Sequence, residues 1–259
     1  GSEANDIALR MAEAVTAKRG VIATDHTYHG NTTVVAQLSA TNPPATGDGS
    51  HVRHVPAPDS YRPLGGVAGM AHAQAFADKV QAAIDDLEAS GIGFSALILC
   101  PAFLNEGFPV LDAGWLDPTL AVVRKAGGLF IADEVQPGFA RNGEAFWGHQ
   151  RIGIKPDIVT MGKPMGNGFP MAGVVTKPEY LEEFCADVGY FNTFAGNPVA
   201  AAAGLAVLTE IKNQHLQENA RVIGGYLKKQ LQNIAEKSAH IGEVRGSGLF
   251  LGIDICHPQ

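Results

Sequence analysis

Cysteine is scarce in this chain of 259 residues: Cys100, Cys185 and Cys256 lie far apart. They form no CxxC pair and no Cys/His cluster. That excludes a disulfide scaffold and a structural zinc site, and it predicts the reduced thiols of a cytoplasmic protein. The nine histidines are scattered, none at metal-ligand spacing, so no metal is expected. Charged residues are few, 17%, and their balance is acidic, with a net charge of -7. No lysine or arginine cluster could neutralise a phosphate backbone, which excludes a nucleic-acid partner. Long hydrophobic runs are missing too. The longest, around Phe94 to Leu104, is too short to span a bilayer and reads as a core strand, so no membrane partner is expected. There are no internal repeats and no low-complexity tails.

What is present is an ordinary globular composition, 46% hydrophobic, with enough chain for one large domain or one and a half. Apolar residues at helical spacing predict a helix from about Ala4 to Lys18, with Ser2 as its N-cap. Val21 to Asp25 reads as a strand. Residues 39–69, rich in Pro, Gly, Thr and Asp, read as a long surface loop. Ala71 to Ala89 is helical by pattern, Phe94 to Cys100 a continuous apolar strand, and Pro101 to Pro109 a loop. Leu116 to Ala126 is a helix capped by Gly127-Gly128 and followed by the strand Leu129 to Ala132. Later come a strand from Ile158 to Met161, a helix from about Asn197-Pro198, a helix from Leu216 to Ile234, and a strand-rich end from Ile241 to Ile255. Strands alternating with helices imply parallel βαβ units, hence an α/β fold.

Three segments carry candidate chemistry. In Gly162-Lys163-Pro164-Met165-Gly166-Asn167-Gly168 a lysine follows an apolar strand and is held in a loop by glycines and prolines. With its stem in an apolar wall such an amine is desolvated, which lowers its pKa and frees its lone pair to attack an aldehyde. Taken alone, the pair Gly162-Lys163 better fits a surface lysine after an edge strand. In Phe130-Ile131-Ala132-Asp133-Glu134-Val135-Gln136 a strand delivers a carboxylate at its C-terminal end, where capping of a turn is the plain alternative. In Gly1-Ser2-Glu3-Ala4-Asn5-Asp6 a helix start offers free backbone N–H groups and a hydroxyl to a phosphate. Simple capping, or a cloning scar at Gly1-Ser2, are the alternatives there. Tyr28-His29-Gly30 ends the first strand, where open α/β sheets bind ligands.

Together these segments resemble the class III aminotransferases, pyridoxal-phosphate enzymes of fold type I. Asp133-Glu134-Val135-Gln136 followed by Gly138-Phe139-Ala140-Arg141 matches the family's D-E-x-Q-x-G-x-x-R pattern. Gly162 to Gly168 and Tyr190-Phe191-Asn192-Thr193-Phe194-Ala195-Gly196-Asn197-Pro198 resemble the branch that holds alanine-glyoxylate aminotransferases of type 2 and the phosphoethanolamine and phosphohydroxylysine phospho-lyases. The resemblance implies a mostly parallel sheet flanked by helices, as a large cofactor-binding domain over residues 1–210. A small α+β C-terminal domain would begin over 211–259. It implies pyridoxal 5′-phosphate held by Lys163 as a Schiff base, Asp133 paired with the pyridine nitrogen, and Tyr28 stacked on the ring. Gln136 would bond the phenolic oxygen, and Gly1 and Ser2 the phosphate. Thr193 would reach the phosphate of the other subunit across a homodimer interface, an ordinary turn or cap being its alternative. His29 and Arg141 are expected to be structural.

The reaction so implied is amino transfer from an amino acid or amine to a 2-oxo acid, with Lys163 shuttling the Cα proton. A phospho-lyase acting on an amino phosphate ester such as phosphoethanolamine is the second reading, and an inactive dimerisation module the third. Family members have a long segment before Gly1, and the arginine that many of them use for the substrate carboxylate would lie beyond Gln259, so a fragment is expected. Relatives also carry a glutamate-proline and a glutamine in the loop after the Phe94 strand. Here Pro101-Ala102-Phe103-Leu104-Asn105-Glu106-Gly107 stands instead, leaving Glu106 either facing the cofactor or solvating the loop.

Overall fold

The computed structural model describes residues 1–45, 47, 49–187 and 189–257. In chain order it has α1 (Ser2–Thr16), β1 (Gly20–Thr24), α2 (Thr33–Ala36), β2 (Val52–Val55), α3 (Gly69–Ala89), β3 (Phe94–Leu99), α4 (Asp117–Lys125) and β4 (Leu129–Asp133). There follow α5 (Gly148–Arg151), β5 (Ile158–Met161), β6 (Gly173–Thr176), α6 (Pro178–Asp187), α7 (Pro198–Asn213), α8 (Leu216–Ala235), β7 (Ile241–Ser247) and β8 (Phe250–Ile255).

Strands β1, β3 and β4 are buried at every residue, the pattern of strands covered on both faces. They lie in a six-stranded sheet ordered β2-β1-β3-β4-β5-β6. All neighbours run parallel except β6, which pairs antiparallel with β5 at the edge. Because side chains alternate along a strand, each strand feeds two cores. On one face Ile22, Leu97, Leu99 and Phe130 meet Phe76, Val80 and Leu87 of α3 and Leu120 and Val123 of α4. On the other, Val21, Ala96, Ile98, Ile131 and Ile158 meet Ala8, Leu9 and Ala12 of α1, with Phe184 of α6. Each fully buried side chain of this size contributes about 1.5–3 kcal/mol. Among the described residues, no helix is long and apolar enough to cross a membrane.

Three local expectations are corrected. Residues 39–69 are more than a surface loop: Val52 and Val55 are buried, and β2 pairs in parallel with β1 from Val21↔Val52 to Thr24↔Val55. Four residues amid prolines and glycines are too short a run to stand out by periodicity. Thr46 and Asp48 of that stretch lie outside the described residues. Ser2 is not the N-cap of α1; Gly1 is, and no side chain caps the helix. The Ser2 hydroxyl is engaged instead with Asn31, donating to Oδ1 (3.0 Å) and accepting from the backbone N–H (3.1 Å). Finally, β6 and α6 extend the sheet and cover its face where no element was expected.

After α7 and α8 the chain forms the antiparallel hairpin β7–β8. Buried Arg245 ties it to the rest. Its guanidinium donates to Asp59 (2.8 Å), Glu243 (2.8 Å), Asp254 (2.6 Å) and, more weakly, the Gly107 carbonyl (3.3 Å). Arg141, expected to be structural, lies over the Phe250 ring at 5.6 Å, and its carbonyl accepts from Leu249 N (3.1 Å).

Candidate active site

The sheet order places β1 between β2 and β3, so the chain leaves β1 to one side and returns on the other. Crevices form at such switch points, outside the carboxyl ends of parallel strands. The predicted residues converge there. A cavity of 130 Å³ is lined by Gly1 and Ser2 at the start of α1, Tyr28 after β1, Asp133 and Gln136 at the end of β4, and Lys163 after β5. His29, Gly30, Cys100 and Val135 complete it.

Close backbone approach explains two of the glycines. A Cβ on Gly30, whose φ is 141°, would stand 2.6 Å from Ser2 Oγ, and one on Gly1 2.7 Å from Val135 Cγ1. Any larger residue would push the start of α1 away from the strand ends. The first N–H groups of α1 thereby stay at the cavity wall, without side-chain caps to occupy them.

Asp133 is 5% exposed and heavily hydrogen-bonded. Oδ1 accepts from Val135 N (3.0 Å); Oδ2 accepts from Asn5 Nδ2 (2.9 Å) and faces His29 Nδ1 (2.6 Å). Asn5 is itself fixed, donating to the His29 carbonyl (2.6 Å) and accepting from Thr160 Oγ1 (2.6 Å). A buried carboxyl needs such partners for its oxygens. Next in sequence, Glu134 faces away and accepts from Gly148 N, His149 N and His149 Nδ1, holding the 137–148 turns in place.

Lys163 departs from expectation in one respect. It is exposed, because β5 ends at Met161 and the following Asn167 to Pro170 are exposed as well. Thr193 also stands apart. It is exposed on the segment before α7 and does not line this cavity; neighbouring Asn192, Phe194 and Ala195 line a separate one of 780 Å³ against α1 and β6.

Two features escaped the sequence reading, and the place of Glu106 had stood open between two alternatives. Asn5 is a polar residue on the apolar face of α1, in register with Ala8, Leu9 and Ala12, and that misplacement was the available signal. Cys100 is buried at the end of β3; burial pushes its thiol pKa well up, and the charge of Asp133 adds to this. Glu106 neither faces the cavity nor solvates the loop. It accepts from Thr24 Oγ1 (2.6 Å), and burial raises its pKa against the opposing effects of Thr24 and His29.

The class III aminotransferase family model matches residues 1–259. The chain is 42% identical to the mitochondrial alanine–glyoxylate aminotransferase 2 homolog 2 of Arabidopsis thaliana, over 98% of this chain and 52% of that protein. It is 39% identical to the ethanolamine-phosphate phospho-lyase homolog 1 of Caenorhabditis elegans, over 98% of this chain and 58% of that one. A solved phospholyase from Arthrobacter, in complex with phosphoethanolamine, superposes with a TM-score of 0.91 at 44% identity, covering 100% of this chain and 61% of that one. The chain thus spans 52–61% of the length of these relatives. With a match over every residue, and a lysine, a buried aspartate and a helix start around one cavity, the chain belongs to the class III aminotransferase family.

Proposed function

We propose that this chain is the cofactor-binding part of an aminotransferase that moves an amino group from an amino acid or amine to a 2-oxo acid. The observation that carries the reading is the convergence of Lys163, Asp133 and the N-terminus of α1 on one cavity at the switch point. These groups fit pyridoxal 5′-phosphate: an amine for its aldehyde, a carboxylate for its ring nitrogen, and free N–H groups beside a serine for its phosphate. When bound, the cofactor supplies an electron sink for charge that develops at the substrate Cα.

The remaining work falls to the chain. Lys163 Nζ would hold the cofactor and, once a substrate amine has displaced it, would accept the Cα proton and return it. Asp133, held in place by His29, Asn5 and the Val135 N–H, would pair with the ring nitrogen. Gly1 and Ser2 would hold the phosphate, Tyr28 would lie on the ring, and Gln136 would bond the phenolic oxygen. Thr193, exposed and away from the Lys163 cavity, serves the site of a partner subunit, so the assembly is a homodimer with shared sites. Residues 1–210 act as the large domain, and the small domain begins over 211–259, a reading supported by the separate β7–β8 sheet. Three free cysteines support a reducing compartment, the cytoplasm.

A second reading, phospho-lyase action on an amino phosphate ester such as phosphoethanolamine, draws support from the 44% identity to the Arthrobacter phospholyase. Phosphate release from phosphoethanolamine, set against amino transfer from alanine to a 2-oxo acid, separates the two.

Borohydride reduction of the chain with pyridoxal phosphate, followed by peptide mapping, tests the core of the proposal. The added mass is expected on the peptide containing Lys163, and Lys163→Ala loses it. Label absent, or scattered over surface lysines, would overturn it.

A further inference from the structure

Glu106 is a buried carboxyl beside the cavity that the chemistry above does not use. It sits on the connection after β3. Its Oε1 accepts from Thr24 Oγ1 at the end of β1 (2.6 Å). Its Oε2 is buried and has no hydrogen-bond partner among the described residues. The Thr27 hydroxyl bears on the same carboxyl and lies 3.0 Å from His29 Nε2. His29 Nδ1 stands 2.6 Å from Asp133 Oδ2. Glu106, Thr27, His29 and Asp133 therefore form one line of polar contacts leading to the cavity floor.

Protons can be distributed along that line in two ways. An ionised Glu106 would leave a charged, buried oxygen with at most the Thr27 hydroxyl to donate to it, which is costly. It would also draw a proton onto His29, and the resulting imidazolium would neutralise Asp133. A protonated Glu106 needs only one acceptor for its Oε2–H, and the Thr27 oxygen is at hand. The hydroxyls then order themselves: Oε2–H donates to Thr27, Thr27 donates to His29 Nε2, and His29 Nδ1–H donates to Asp133. Burial favours this neutral form. Thr24, His29 and Thr27 around the carboxyl pull towards the ionised form, and burial outweighs them. Thr24 from β1 donates to Oε1, Cys100 from β3 is a buried thiol with a raised pKa, and Arg245 from β7 reaches only the neighbouring Gly107 carbonyl.

We propose that Glu106 is a positioning residue: as a neutral acid it directs Thr27 to occupy His29 Nε2, which keeps His29 uncharged and leaves the buried negative charge on Asp133. The inference rests on the reading of Asp133 as the partner of a protonated ring nitrogen, since only an undiminished charge there would hold that proton.

The test is ¹⁵N NMR of the whole chain labelled at histidine, with His29 assigned through a His29→Gln variant. Wild type is expected to show His29 as the neutral Nδ1–H tautomer at about pH 7. Glu106→Gln, whose amide also donates to Thr27, is expected to leave that signature unchanged. Glu106→Leu frees Thr27 to accept from Nε2–H, and the imidazolium fraction of His29 should rise about tenfold. An imidazolium in wild type that becomes neutral in Glu106→Gln would overturn the proposal, and that comparison holds even where Glu106→Leu fails to fold. A folded Glu106→Leu with an unchanged His29 would overturn it as well. The readout needs no cofactor, so the two readings fail separately. A chain unlabelled at Lys163 but with this His29 behaviour loses only the proposed function. A chain labelled at Lys163 whose His29 ignores residue 106 loses only this inference.

Discussion

His29 Nδ1 stands 2.6 Å from Asp133 Oδ2, although 104 residues of chain separate them. The contact joins the turn after β1 to the end of β4 at the point where the sheet changes direction. Its consequence is chemical: the carboxylate at the cavity floor is oriented from two sides, by His29 and by Asn5. Asp133→Asn keeps the shape and removes the charge. Activity of the loaded enzyme is expected to fall on the order of a hundredfold or more, read as kcat, while the Lys163 adduct still forms. An unchanged kcat would remove Asp133 from the mechanism.

Glu106 makes stability depend on pH in a definite direction. Burial holds its pKa above the ordinary carboxylate range in the folded chain. The folded state therefore binds this proton more tightly than the unfolded one. The associated stability is complete below the unfolded value, about pH 4.3, and is lost as pH rises through the raised folded value. Glu106→Gln carries no such proton. Urea unfolding at a series of pH values from about 4 upward should show the variant gaining on wild type as pH rises. A constant difference would mean that Glu106 has an ordinary pKa.

Cys100 should be inert in the folded chain, because the thiolate is the reactive form and burial beside Asp133 disfavours it. Iodoacetamide at about pH 8 is expected to leave Cys100 unmodified until urea is added. Mass mapping checks this, and rapid modification of the native protein would place the thiol in a different environment.

Arg245 joins the β7–β8 hairpin to Asp59 and to the Gly107 loop while 5% exposed. Arg245→Ala removes a buried guanidinium from three part-exposed carboxylates, two of which keep Arg62, and is expected to cost about 1.5–3 kcal/mol in urea unfolding. Hydrogen exchange should show the hairpin amides losing protection first. A cost below about 1 kcal/mol would show a pair no stronger than a surface salt bridge.

Local order and chemistry were written in the sequence. Phe94 to Leu99 and Leu129 to Asp133 announce buried parallel strands because both their faces are apolar. Lys163, Asp133, Gln136, Tyr28 and the Gly1-Ser2 pair stand out because each occupies a short motif at the end of an element. Strand β2 did not stand out, since Val52 to Val55 becomes a strand only when β1 offers its free edge. The exposure of Lys163 was equally illegible, because whether a side chain is covered depends on elements remote in sequence.

The sequence by itself determined the alternation of strand and helix, the family and the residue types at the cavity, because periodicity and motif spacing are local properties. Only the tertiary structure decided how those residues are wired. That Asn5, His29, Thr160 and Asp133 share one network, that Cys100 lines the cavity, and that Glu106 turns inward to Thr24 all follow from strand order, which brings distant ends of the chain to one edge of the sheet. Hydrogen bonds act over about 3 Å, and no spacing along a chain measures that distance.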